Sequence, residues 1–202
     1  MLTKIAVLVS GGGTNLQALI DGEKSGIIKS GKIELVVSNN ENAYALTRSK
    51  NAGIKTEVIS RKELGEGFED ALINTLDAHG IDMIILAGFM CILGEKFIKH
   101  FENRIINVHP SLIPSFCGKG FYGLKVHEAA LSYGVKVTGA TVHYVNEIPD
   151  GGKIILQKAV EILPEDTAET LQKRVMQQAE WIILPQGAEI VAREIAENKT
   201  EA

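Results

Sequence analysis

Three short stretches in the second half of the chain carry side chains suited to chemistry at a carbonyl group. Asn107-Val108-His109 follows the apolar pair Ile105-Ile106, and alternation along a strand puts Asn107 and His109 on the same side. An amide and an imidazole aimed at one point can hold a carbonyl oxygen and move a proton. Thr141-Val142-His143 repeats the pattern of two polar side chains on one strand face. Asp150-Gly151-Gly152 presents a carboxylate within turn chemistry. Each stretch also has a plain structural reading: a hydrogen-bonded core histidine, a solvated strand face, a turn.

A fourth stretch, Ser10-Gly11-Gly12-Gly13-Thr14-Asn15, separates a buried apolar run from a helical pattern. Glycines let the backbone approach a phosphate, and a helix N-terminus offers free N–H groups and positive dipole. The dinucleotide fingerprint fails, because its third glycine falls on Leu16. Ser38-Asn39-Asn40 stands where an acidic residue would meet a ribose. No Gly-Lys-Ser/Thr follows, so a triphosphate loop is excluded too. The loop reads as a site for one phosphate, a monoester. Metal ligation fits poorly: His109, His127 and His143 lack HxH or HxxxH spacing, and Cys91 and Cys117 form no CxxC pair. No GxSxG elbow supports a serine hydrolase.

The elements that must position these groups show as apolar runs. Residues 5–9, 33–37, 56–59, 83–87 and 105–108 read as strands. Helical patterns lie between them: Leu16, Leu19 and Ile20; residues 43–52, closed by Gly53; and Phe68, Leu72, Ile73 and Leu76, stopping at Gly80. Strands alternating with helices imply βαβ units and a parallel sheet. Residues 109–124, rich in Pro, Gly, Ser and aromatics, read as a long functional loop. Residues 137–145 and 153–162 read as an antiparallel hairpin. Asp166-Thr167-Ala168-Glu169 reads as a capping box. It opens a helix with Leu171, Val175 and Ile182 on one face. Pro185 reads as the first turn of a further helix, and 194–202 as a frayed tail. The expected fold is α/β: an open, mostly parallel twisted sheet flanked by helices, with an antiparallel C-terminal hairpin.

The 202 residues suggest one domain, 1–202. Its halves would be a phosphate-binding βαβ half, 1–108, and a catalytic loop, hairpin and C-terminal helices, 109–202. A net charge of −4 argues against nucleic acid as a partner. The absence of an 18-residue apolar run argues against a membrane. The opening apolar run is too short for a signal segment, so a cytoplasmic location is expected.

Taken together, these residues resemble the phosphoribosylglycinamide formyltransferase family, folate-dependent enzymes of purine synthesis. The resemblance rests on Val9-Ser10-Gly11-Gly12-Gly13-Thr14-Asn15-Leu16-Gln17, Leu86-Ala87-Gly88-Phe89-Met90, Ile106-Asn107-Val108-His109-Pro110-Ser111-Leu112, residues 139–145, and Asp150-Gly151-Gly152. It implies a Rossmann-like formyltransferase fold. It also implies transfer of the formyl group of 10-formyltetrahydrofolate to the amine of glycinamide ribonucleotide. By motif, Gly13, Thr14 and Asn15 would hold the phosphate, and Gln177 and Glu180 would contact the ribonucleotide. Met90, Cys91, Ile92 and Leu93, with Asn107, would bind the folate. Asn107, His109 and Asp150 would be catalytic. The resemblance implies no metal and no NAD, two small-molecule substrates as partners, and a monomer or weak homodimer.

The chemistry is consistent. Amine attack on the formyl carbon leaves negative charge on the formyl oxygen, to which Asn107 and a protonated His109 can donate hydrogen bonds. Asp150 beside His109 would favour imidazolium. Gly65 and Cys91 stand where the family often has arginine, and 116–124 is longer than the common family loop. Three rival readings stand beside it. A methionyl-tRNA formyltransferase would be expected to carry a C-terminal domain and is disfavoured by the acidic charge. A formyltetrahydrofolate deformylase would usually carry His-His-Ser, but here Pro110 follows His109. A non-catalytic phosphometabolite-binding module would keep the glycine loop and leave Asn107, His109 and Asp150 structural.

Overall fold

The computed structural model describes residues 1–201. Its strands are β1 (Thr3–Val9), β2 (Gly31–Ser38), β3 (Lys55–Val58), β4 (Met83–Leu86), β5 (Ile105–His109), β6 (Val137–Tyr144) and β7 (Ile154–Glu161). They form one sheet in the order β3-β2-β1-β4-β5-β6-β7. The first five strands are mutually parallel. β6 and β7 run antiparallel to their neighbours, as the hairpin pattern predicts.

The helices are α1 (Thr14–Lys24), α2 (Tyr44–Asn51), α3 (Arg61–Leu64), α4 (Phe68–Ala78), α5 (Glu95–His100), α6 (Leu124–Tyr133), α7 (Ala168–Val175) and α8 (Trp181–Glu201). Among the described residues, no helix is long and apolar enough to cross a membrane.

The apolar runs are continuous because the central strands are covered on both faces. Along β1, Ile5, Val7 and Val9 pack with Leu16 and Leu19 of α1 and Leu184 of α8. Ala6 and Leu8 face the other way, toward Phe68 and Leu72 of α4 and Phe97 of α5. The same period of two divides β5. Ile106 and Val108 join the α1/α8 core, which turns Asn107 and His109 to the opposite face.

The winding creates the crevice. The chain steps outward from β1 to β2 and β3, then returns across β1 to β4 and β5. Ligands bind where strand order reverses, beyond the carboxyl ends of the strands. Here that point lies between the loop after β1 and the loop after β4. The Ser10 hydroxyl accepts from the Met90 N–H at 2.8 Å and ties the two loops together.

The C-terminal region departs from expectation. The cap of α7 sits one residue later, with Thr167 and Thr170 closing the box. Asp166 instead accepts from Arg174 at 2.5 Å and from the Leu163 N–H at 2.8 Å, which removes it from the capping position. A π turn, Met176–Glu180, then joins α7 to α8. Its wider winding advances the apolar face, so Ile183 is buried and Ile182 is 40% exposed. Pro185 therefore falls inside α8 rather than starting a helix. The tail is helical to Glu201, held where Tyr144 donates to Glu194 at 2.8 Å and Lys199 pairs with Asp82. Ala202 lies outside the described residues.

Candidate active site

β5, β6 and the turn after β6 bring the three chemical stretches together. In register, Asn107 faces His143 and His109 faces Thr141. Asp150 caps them from a turn where its backbone is left-handed, φ 57°. Its Oδ2 lies 3.4 Å from His109 Nδ1, and its Oδ1 lies 3.6 Å from His143 Nε2. The same Oδ2 accepts from the Gly118 N–H at 2.8 Å. Burial works against the Asp150 charge, but the His143 ring, the Gly118 N–H and the His109 ring outweigh it. The carboxyl is held below its ordinary range.

His109 Nε2 lies 2.9 Å from the carbonyl oxygen of Phe116. A carbonyl only accepts, so Nε2 carries a proton, and Nδ1 faces Asp150. Burial pulls the His109 pKa below its ordinary value, although the Phe116 carbonyl and Asp150 act in the opposite sense. Asp150 favours the cation, as the sequence suggests, and desolvation opposes it more strongly.

Thr141 and His143 acquire separate tasks. His143 Nδ1 donates to the Tyr144 carbonyl at 2.8 Å, which leaves Nε2 3.3 Å from Asn107 Nδ2. In the tautomer with the proton on Nδ1, Nε2 accepts one Asn107 N–H and leaves the other for a ligand. Thr141 holds the start of the 109–124 loop. Its hydroxyl donates to the Ser111 carbonyl at 2.7 Å and accepts from the Ile113 N–H at 3.1 Å.

The glycine loop presents a bare helix end. Gly13 has φ 70°, and a Cβ there would stand 2.7 Å from that of Ala45, so only glycine fits. Space beside Gly11 and Gly12 is open. No side chain caps α1, which leaves its first N–H groups pointing into the crevice. Asn15 does not point there. Its Nδ2 donates to Glu180 Oε2 at 2.8 Å, so only its backbone is left for an anion. Glu180 is buried, and burial raises its pKa against the Asn15 hydrogen bond. Gln177 lies exposed on the same π turn.

Arg48 carried no sequence signal. It reaches from α2 to donate through Nε to the Gly12 carbonyl at 2.9 Å and through Nη1 to Gln17 at 3.1 Å. It thereby sets a positive charge beside the loop.

Residues 90–93 fill the loop after β4. Met90 is 61% and Ile92 77% exposed, an apolar rim at the crevice mouth. Cys91 accepts from Asn39 Nδ2 at 2.9 Å. Leu93 turns into the core, so its side chain supports the loop from behind. Arg61 donates to the Ile92 carbonyl at 3.3 Å and adds a cation that neither Gly65 nor Cys91 supplies.

Residues 3–186 match the formyl transferase family. The chain belongs to that family. Among formyl transferases, it is 44% identical to the phosphoribosylglycinamide formyltransferase of Haemophilus influenzae, over 91% of this chain and 84% of that one. It is equally 44% identical to the trifunctional purine biosynthetic protein adenosine-3 of Gallus gallus, covering 94% of this chain but 18% of that protein. Its fold matches glycinamide ribonucleotide transformylase 1 from Symbiobacterium toebii with a TM-score of 0.89. That match has 39% identity and covers 96% of this chain and 89% of the other. The open mixed sheet with an antiparallel C-terminal part is therefore the fold of its formyl transferase relatives.

Proposed function

We infer that this chain is a phosphoribosylglycinamide formyltransferase, which moves a formyl group onto the amine of glycinamide ribonucleotide in purine synthesis. The observation that carries the site assignment is the meeting of Asn107, His109 and Asp150 at the carboxyl end of β5, beside the uncapped α1.

The donor assigned is 10-formyltetrahydrofolate, which supplies an activated formyl group on nitrogen. The residues present fit it. Met90 and Ile92 offer apolar surface to a flat ring, Asn107 keeps one N–H free, and Arg61 suits an acidic tail. The ribonucleotide phosphate sits on the N–H groups of Gly13, Thr14 and Asn15, with Arg48 adding positive potential. Glu180 accepts from the sugar hydroxyls, and Gln177 flanks it.

Asn107 Nδ2 donates to the formyl oxygen as negative charge develops there, held in orientation by His143. His109 and Asp150 share the task of taking up the amine's proton. Uptake makes His109 a cation flanked by a carboxylate, a far better hydrogen-bond donor than the resting ring. A formyl-transfer assay with and without glycinamide ribonucleotide tests this reading. Release of free formate without the amine would instead identify a hydrolase. Binding of the ribonucleotide without turnover would leave a binding module.

A further inference from the structure

Two consecutive carbonyls of the glycine loop are taken up by α2. The Ala45 N–H donates to the Gly11 carbonyl at 3.0 Å, and Arg48 Nε donates to the Gly12 carbonyl at 2.9 Å. Ala45 and Arg48 stand three positions apart, so one face of α2 supplies both donors. The Ala45 N–H is available because N–H groups in the first turn of a helix have no partner within it. The approach is close because Ala45 carries only a methyl group and Gly13 carries no Cβ. A Cβ at Gly13 would stand 2.8 Å from the Ala45 Cα and 3.4 Å from Arg48 Cδ.

A trans peptide is planar, and its N–H points opposite to its C=O. The Gly11-Gly12 and Gly12-Gly13 peptides are trans. Turning the Gly11 and Gly12 carbonyls toward α2 therefore turns the Gly12 and Gly13 N–H groups away from it. Gly13 offers its own carbonyl to the Gln17 N–H at 2.9 Å, which carries the alignment into α1. Arg48 is itself held on two sides. Its Nη1 donates to Gln17 Oε1 at 3.1 Å, and Gln17 Nε2 donates in turn to Asp21 at 3.0 Å. The Tyr44 ring centre lies 5.1 Å from the guanidinium carbon. Fixed through two donors and one face, the planar guanidinium is a brace rather than a mobile charge.

We propose that Arg48 is a positioning residue for the substrate phosphate: through the Gly12 carbonyl it sets the Gly12-Gly13 peptide so that the Gly13 N–H is presented to the anion. This rests on the glycine loop being the phosphate site. The donor at Nε then matters more than the positive potential that Arg48 also supplies.

Two substitutions separate donor from charge. Glutamine places an amide nitrogen as many bonds from Cα as the arginine Nε, without the charge. Methionine keeps a stem of the same length with neither donor nor charge. The first readout needs no substrate. It is the ¹³C shift of the Gly12 carbonyl and the ¹⁵N shift of Gly13 in the labelled, ligand-free protein, which report the hydrogen bond accepted at that carbonyl. Arg48→Met should displace both signals, and Arg48→Gln should hold both near their wild-type positions. The second readout is steady-state kinetics. Arg48→Met should raise ribonucleotide KM by about ten- to a hundredfold, the scale of one misaimed hydrogen bond to a charged group, with kcat and folate KM changing far less. Arg48→Gln should recover most of that loss. Equal KM losses in the two variants would assign Arg48 to charge alone and overturn the proposal. So would Arg48→Met with the Gly12 and Gly13 signals unmoved. If Arg48→Met fails to fold, Arg48→Gln decides. Retained signals with a KM within about fivefold of wild type, the scale of a lost exposed charge, support the proposal, and a displaced signal or a larger KM overturns it. Inorganic phosphate that leaves the amide signals of residues 12–15 unmoved would instead overturn the phosphate-site reading, on which the ligand-free comparison does not depend.

Discussion

Asp150 occupies a left-handed position that asparagine tolerates as well as aspartate. Asp150→Asn should therefore fold normally and bind ribonucleotide, yet lose turnover by roughly 10²–10⁴, the range for removing an acid–base group. His109→Ala should lose a similar amount, and the double variant little more, because members of one unit are non-additive. Steady-state kinetics of the four proteins decide this, and strictly additive losses would mean two independent groups. The pH dependence follows from burial. For His109 to accept a proton it must be neutral, and burial lowers its pKa from the ordinary value, so the acid limb of kcat/KM should lie below pH 6.5. At the glycine loop, Thr14→Glu adds negative charge beside the phosphate and should raise ribonucleotide KM strongly while leaving the folate KM near its original value. The side chains of this site were legible because strand alternation and turn chemistry are local. The backbone partners were not. The Phe116 carbonyl and Gly118 N–H belong to every sequence alike, and Arg48 acts across 36 positions.

Between residues and the whole fold, the strands were legible and several helices were not. β1 and β4 declared themselves by unbroken apolar runs, and β2 and β5 by runs broken only at Glu34 and Asn107. α6 buries only Val126, His127 and Ala130, too weak a stripe to stand out beside a loop rich in glycine. α5 has six residues. The π turn was invisible because its sequence is ordinary helix-forming residues. What it does is rotate Glu180 toward Asn15 while keeping Ile183 in the core. Glu180→Gln should preserve the turn and raise ribonucleotide KM by about tenfold, the loss of a charge-assisted hydrogen bond. Its kcat should change less, and equal losses in both would place Glu180 in the chemistry. On the facing loop, Cys91 sits behind the apolar rim and bonds Asn39. Bulky alkylation there should weaken folate binding measured by fluorescence titration. Complete modification with unchanged affinity would show that the loop accommodates it.

At the scale of the whole molecule, the same sheet that gathers the site buries groups at a cost to acid stability. His127 is fully buried, neither ring nitrogen has a hydrogen-bond partner among the described residues, and burial pushes its pKa down to about 4. The unfolded chain binds a proton at this residue from about pH 6.5 downward, while the folded chain does so only near pH 4. The stability this histidine allows is thus complete above pH 6.5 and is lost as pH falls toward 4. Urea unfolding at pH 7.5 and 4.5 should differ by roughly 2–3 kcal/mol from this source. His127→Leu should remove most of that difference. A variant that keeps the full wild-type pH dependence would assign it to other groups.

A hydrogen bond from the Met90 N–H to the Ser10 hydroxyl joins the two walls of the crevice. A ligand that settles one wall reduces the freedom left in the other, so each substrate lowers the entropic cost of admitting its partner. Thermodynamic reciprocity requires the effect to be equal in both directions. Calorimetry should find the ribonucleotide bound several-fold more tightly when a non-reactive folate occupies its place, and the folate tightened by the same factor. Ser10→Ala should leave both separate affinities close to wild type and abolish the synergy. In this reading a two-substrate enzyme senses that both are present through one serine, with no moving domain.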